Sequence, residues 1–131
     1  MHEPVHGKFS VEVDGNIIVN RYAEGFNQAG IRAVTDAILE SARGLERWAL
    51  LQLPEASAGL TGDSVPEMMR AYNRLQCAGC IAVAIHDNSM FVRAGYMVKD
   101  VEVSLPFLID KDIALPRPWL EKKFSTRQPS A

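Results

Sequence analysis

The chain predicts an α/β fold: a small mixed, mostly parallel sheet with helices packed on it, opening with a β-hairpin. Three observations predict it. Apolar and polar residues alternate over 8–13, and Asp14-Gly15 then separates them from Asn16-Ile17-Ile18-Val19, which is a hairpin pattern. Two short apolar runs, 48-WALLQL-53 and 81-IAVAI-85, each follow a segment with helical apolar spacing. That strand-helix-strand alternation makes consecutive strands parallel neighbours joined by helical crossovers, in the order β-β-α-β-α-β-α-β-α. With 131 residues and 47% hydrophobic content, one ordinary core is expected, so residues 1–131 read as a single domain with 1–6 and 125–131 as frayed tails.

Each element has a local reason. Asp14-Gly15 is expected to supply both positive-φ positions of a type I′ turn. Asn27 can cap the first helix with its side-chain carbonyl, Ile31, Val34, Ile38 and Ala42 mark its apolar face, and Gly44 stops it. Trp48 to Leu53 is nearly continuously apolar, as a strand covered on both faces must be, and Pro54 ends it. Glu55 to Gly62 reads as a small flexible loop. Ser64-Val65-Pro66-Glu67 fits a capping box, with Asp63 and Ser64 as alternative caps, and Met68, Tyr72 and Leu75 share one face of a helix running to about Gln76. Gly79 breaks that helix before the strand Ile81 to Ile85. Ser89 to Val98 fits helix or strand, with a helix capped by Asn88 or Ser89 preferred. Val101 to Ile109 reads as a strand in which Pro106 marks an edge or an end. Asp110-Lys111-Asp112 then opens a last helix that reaches Trp119-Leu120, interrupted by Pro116 and Pro118.

Composition removes several classes of function. A net charge of −2 and no basic run longer than Lys122-Lys123 leave no electrostatic footprint for nucleic acid. MHEPVHGKFS has no signal-like apolar run, and no stretch approaches the roughly 20 apolar residues of a membrane span, so a cytoplasmic protein is expected. G-x-S-x-G, H-E-x-x-H, P-loop and G-x-G-x-x-G patterns are absent, which leaves enzyme status unsupported. Cys77 and Cys80 form a Cys-x-x-Cys pair, but they sit where a helix ends and a strand begins, so the helix dipole would disfavour a thiolate. No second such pair and no matching spacing of His2, His6 and His86 complete a zinc site. Both cysteines are expected to be buried and structural, and no metal or cofactor is expected.

These elements in this order resemble the STAS superfamily, in particular its SpoIIAA-like branch, which is related to anti-anti-sigma factors. The resemblance runs from about Gly7 to Lys122. It rests on the hairpin ending in 17-IIVNRYAEGFN-27, the helix from Asn27, the strand 48-WALLQL-53, the helix opening at Asp63-Ser64, the strand 81-IAVAI-85, and 101-VEVSLPFLIDKDIALPRPWLEK-122. It implies a non-catalytic regulatory or binding module acting through protein contacts or a small ligand. Phosphoregulated members carry a D-S-S-G-like segment where this chain reads Gly62-Asp63-Ser64-Val65-Pro66. Asp63 and Ser64 match and the following positions do not, so the resemblance makes Ser64, with Asp63, the candidate phosphorylation or partner site. Read from the residues alone, the same two positions are helix caps.

A second candidate is topological. Ligands in open α/β sheets bind outside the carboxyl ends of strands, and His86, Asp87 and Asn88 stand at such an end. The loop carrying Ser57 follows a neighbouring strand, so these residues are expected to line a ligand or docking cleft. Met90, Phe91, Tyr96 and Met97 form a soft apolar group that suits either core packing or an exposed docking face. Two alternatives of other classes stay open: a small cytoplasmic enzyme using the residues near His86, and a homodimeric assembly protein with Trp48 or Trp119 near the seam.

Overall fold

The alternating segment and its partner pair as the expected hairpin, β1 (Lys8–Asp14) with β2 (Ile17–Ala23), antiparallel and in register from Lys8 opposite Ala23 to Asp14 opposite Ile17. The computed structural model describes residues 5–60, 65–88 and 105–125. After the hairpin come β3 (Gly25–Phe26), α1 (Gln28–Ser41), β4 (Trp48–Pro54), β5 (Gly59–Leu60), α2 (Val65–Cys77), β6 (Cys80–His86), β7 (Phe107–Asp110) and α3 (Pro116–Ser125). The main sheet has the order β1-β2-β4-β6-β7, with every pair after the hairpin parallel. The expected mixed, mostly parallel sheet is therefore present.

Four local readings are corrected. The hairpin turn is Gly15-Asn16, and only Gly15 has positive φ, at 64°. Those φ signs match type II′, because Asp14 stays in the ladder opposite Ile17 and glycine alone takes the left-handed corner. Residues 55–62 contain β5, whose Gly59 and Leu60 pair in parallel with Gly25 and Phe26 of β3; a two-residue ladder leaves no periodicity to read. The strand read over Val101 to Ile109 is displaced in its described part: β7 is Phe107–Asp110, so Leu105 and Pro106 lie outside it, while Pro106 does mark a strand end on the edge of the sheet, as expected. The last helix opens at Pro116 rather than at Asp110-Lys111-Asp112, where the Asp110 and Asp112 carboxylates accept from the Asp112 and Ala114 N–H groups in turns, and Pro116 and Pro118 do not interrupt it but lie in its first turn, where the N–H groups they lack have no intrahelical acceptor. The readings of Ser89 to Val98, of Val101 to Ser104 and of the Asp63/Ser64 cap fall outside the described residues.

Both faces of the sheet are covered at its centre, which is why Ile17 to Val19, Trp48 to Leu51 and Ile81 to Ile85 read as apolar runs. On one face Ile18, Leu50, Val83 and Ile85 pack against Ile38 of α1, the Ala42 that caps its end, and Tyr72 and Leu75 of α2. On the other, Ile17, Val19, Ala49, Leu51, Ala82 and Ala84 meet Leu120 of α3. Alanine at three of those positions lets the helix sit close, with Leu120 fully buried. α1 is fastened at its start: the Asn27 side-chain oxygen accepts from the Gly30 N–H at 2.8 Å and from the His6 N–H at 3.1 Å. α1 and α2 are joined through Glu67, a buried carboxylate that receives Arg32 at 3.0 Å and Arg70 at 3.1 Å, and through Arg74 to Asp36 at 2.8 Å.

Two substitutions test this assembly by denaturant unfolding. Leu120→Ala empties a closed site on the α3 face and is expected to cost about 2–5 kcal/mol. Asn27→Ala releases two N–H groups at once and is expected to cost about 1–2 kcal/mol.

Candidate functional site

The carboxyl ends of β4 and β6 lie side by side, and Asn88 joins them: its side-chain N–H donates to the Pro54 carbonyl at 3.3 Å. The Asn88 backbone N–H bonds the His86 carbonyl at 2.9 Å, and that of Asp87 bonds Asp110 at 2.8 Å, so the strand end is stapled to β7 as well. His86 Nε2 lies 3.1 Å from the Lys111 carbonyl, a geometry that places the ring proton on that nitrogen. Ser57 sits over the end of β2, where its hydroxyl accepts from the Glu24 N–H at 3.0 Å. Glu24 has a φ of 67°, so this bond and the Gly59 N–H on the Glu24 carbonyl at 3.1 Å secure a strained corner. His86, Asp87, Asn88 and Ser57 thus share one end of the sheet, with ties in the fold that the sequence does not reveal. Asp63, Ser64, Met90, Phe91, Tyr96 and Met97 lie outside the described residues.

Sequence reading missed a polar row on the helix-covered face. β2 and β4 pair Asn20 with Gln52, and both side chains turn toward α1 and α2. Asn20 is 1% exposed. Its amide donates to Ser10 at 3.2 Å and to the Arg21 carbonyl at 3.4 Å, and its oxygen accepts from Gln52 Nε2 at 3.4 Å. The Tyr72 hydroxyl from α2 donates to Gln52 Oε1 at 2.7 Å, while the Tyr72 ring meets Phe107 edge-on. This row borders a cavity of about 80 Å³ between the sheet and the two helices. Phe26, Ile31, Met68 and Leu75 form its apolar wall, and Tyr22 and Thr35 add hydroxyls. Burial raises the Tyr22 phenol above its ordinary pKa. The signal was available in principle: Asn20 and Gln52 each interrupt an apolar strand, and only the parallel register places them together.

The cysteines divide. Cys80 is buried, and burial pushes its thiol up to about 12, whereas Cys77 is exposed at the end of α2, which corrects the expectation of two buried thiols. Gly79 between them has a φ of 110°, and a Cβ there would strike the Glu46 carbonyl oxygen, so the tight helix-to-strand turn requires glycine. Trp48 is fully buried and its indole donates to the Ala78 carbonyl at 3.0 Å, which removes it from any dimer seam; Trp119 is half-buried under the Lys123 ammonium. Among the described residues, no group of three or more His, Cys, Asp or Glu could hold a metal ion, and no helix is long and apolar enough to cross a membrane.

Among solved structures, an uncharacterised Shewanella loihica PV-4 protein with a SpoIIAA-like fold superposes with a TM-score of 0.61 over 92% of this chain and 98% of its own, at 11% identity. The fold is SpoIIAA-like. An anti-sigma factor antagonist from Mycobacterium paratuberculosis matches equally, with a TM-score of 0.61 and 11% identity over 92% of this chain and 99% of its own. No family model and no curated protein matches the sequence. A SpoIIAA-like sheet with so little sequence in common preserves strand order and helix placement rather than side chains.

The two thiols give a direct test. One thiol per native chain is expected to react with a water-soluble disulfide reagent between pH 7 and 9, and the second only after unfolding. The folded state also keeps a proton on Cys80 that the unfolded chain releases above about pH 9. Stability is therefore expected to fall as pH rises from about 9 toward 12, more steeply in the parent than in Cys80→Ala, as measured by denaturant unfolding at each pH.

Proposed function

We propose that the protein is a non-catalytic regulatory module that docks a protein partner on the sheet end where β4 and β6 stop, beside the start of α2. The observation that carries the reading is the pair of ties at that end, Asn88 to Pro54 and Glu24 to Ser57. They hold the segments after three strands in one arrangement before any partner arrives, which lowers the ordering cost of docking. The SpoIIAA-like fold, shared with an anti-sigma factor antagonist, supports a partner that is itself a regulatory protein. Asp63-Ser64 immediately precede Val65, the first residue of α2. A phosphate on Ser64 would add about 1.5 to 2 negative charges next to a helix N-terminus, so it is the proposed switch.

Capture of the tagged chain from its native cells, with mass spectrometry of the retained proteins and of the Ser64 peptide, tests the reading. The expected result is a stoichiometric partner whose recovery changes about tenfold, or ~1.4 kcal/mol, with Ser64→Asp and with Asn88→Arg. Val13→Ser, an exposed position at the opposite end of the sheet, is expected to leave recovery unchanged. No stoichiometric partner, or equal recovery by all three variants, would count against the module.

A further inference from the structure

The cavity bordered by Asn20 and Gln52 plays no part in that docking reading, and its chemistry is its own. It lies between the face of β2 and β4 and the two helices α1 and α2, with Asn20 and Tyr22 of β2 and Gln52 of β4 along its floor. Its walls are mostly apolar, and none of the described residues lining it is charged. Its polar side keeps unused hydrogen-bonding capacity. The Tyr22 hydroxyl makes no hydrogen bond among the described residues, and the amide contacts from Gln52 to Asn20 and from Asn20 to Arg21 are long, at 3.4 Å. Tyr22 and Gln52 are half-buried, and a concave site lined mostly by apolar side chains with a few convergent polar groups is the ordinary form of a small-molecule site. About 80 Å³ is close to the share of three waters, at roughly 30 Å³ each. Water, however, needs two to four polar partners per molecule, and the wall of Ile31, Met68 and Leu75 offers none.

We propose that this cavity binds a small uncharged amphiphile: a short alkyl group between Met68 and Ile31, with a hydroxyl or amide head on Tyr22 and Gln52. Charge is excluded by the lining, since an ion here would lose its hydration without a counter-charge. The head both donates and accepts, matching a phenol hydroxyl and a primary amide.

Titration of the whole chain with straight primary alcohols from ethanol to hexanol, read by NMR at the Met68 methyl and the Gln52 side-chain amide, tests this. Saturable shifts confined to the cavity are expected, with affinity rising about fourfold per methylene, equivalent to about 0.8 kcal/mol each, until the space is full. Butyrate is expected to bind at least tenfold more weakly than butanol. Tyr22→Phe is expected to weaken the alcohols by about two- to tenfold, the worth of one neutral hydrogen bond. Ala71→Leu, on α2 at the cavity wall, is expected to abolish binding while the spectrum stays folded. Shifts that do not saturate, affinity indifferent to chain length, unchanged binding in Tyr22→Phe, or a folded Ala71→Leu that still binds would each overturn the site and leave a cavity filled by water alone.

Discussion

β4 is hydrogen-bonded to β2 along one edge and to β6 along the other, while α1 and α2 close one of its faces and α3 the other. A strand enclosed on four sides can leave no N–H or C=O to water, so its neighbours must pair with it throughout. Its side chains follow the same demand: Trp48, Ala49 and Leu50 have no exposed surface. Full burial of a large apolar side chain is worth about 1.5–3 kcal/mol, and β4 contributes to both layers at once. The crossover helices, the hairpin and α3 all take their positions from this one strand.

Against that apolar demand, Asn20 and Gln52 are exceptions that cost stability unless satisfied. Their row is tolerated because β2 and β4 bring the two amides together and α2 delivers Tyr72 to the same place. The carboxyl end of the sheet is also where the chain leaves regular structure, at Glu24, Pro54 and Asn88. Polar side chains there hold backbone that the ladder no longer holds.

Surface charge does a different job. Lys8 with Glu24, Arg21 with Glu12, and Arg43 with Glu40 are exposed pairs, each worth about 0–1 kcal/mol. Glu67 is unlike them. Its buried carboxylate lies between two arginines of different helices, so removing Arg32 or Arg70 would leave an under-compensated charge rather than a missing surface contact. The spacing of α1 and α2, and with it the width of the cavity beneath them, depends on that junction.

What the sequence determined by itself was everything governed by near neighbours. The hairpin alternation, the Asn27 cap, the apolar face of α1 and the buried runs of β4 and β6 are written in residues a few positions apart, and the order of these elements was enough to indicate a SpoIIAA-like sheet. The tertiary structure decided whatever depends on register between distant segments. It opposed Asn20 to Gln52 across 32 residues, paired β3 with β5, brought Ser57 to Glu24, and exposed Cys77 while burying Cys80. A side chain's local neighbours set whether its strand or helix forms, but its partners across the fold are chosen by packing, and no periodicity along the chain records that choice.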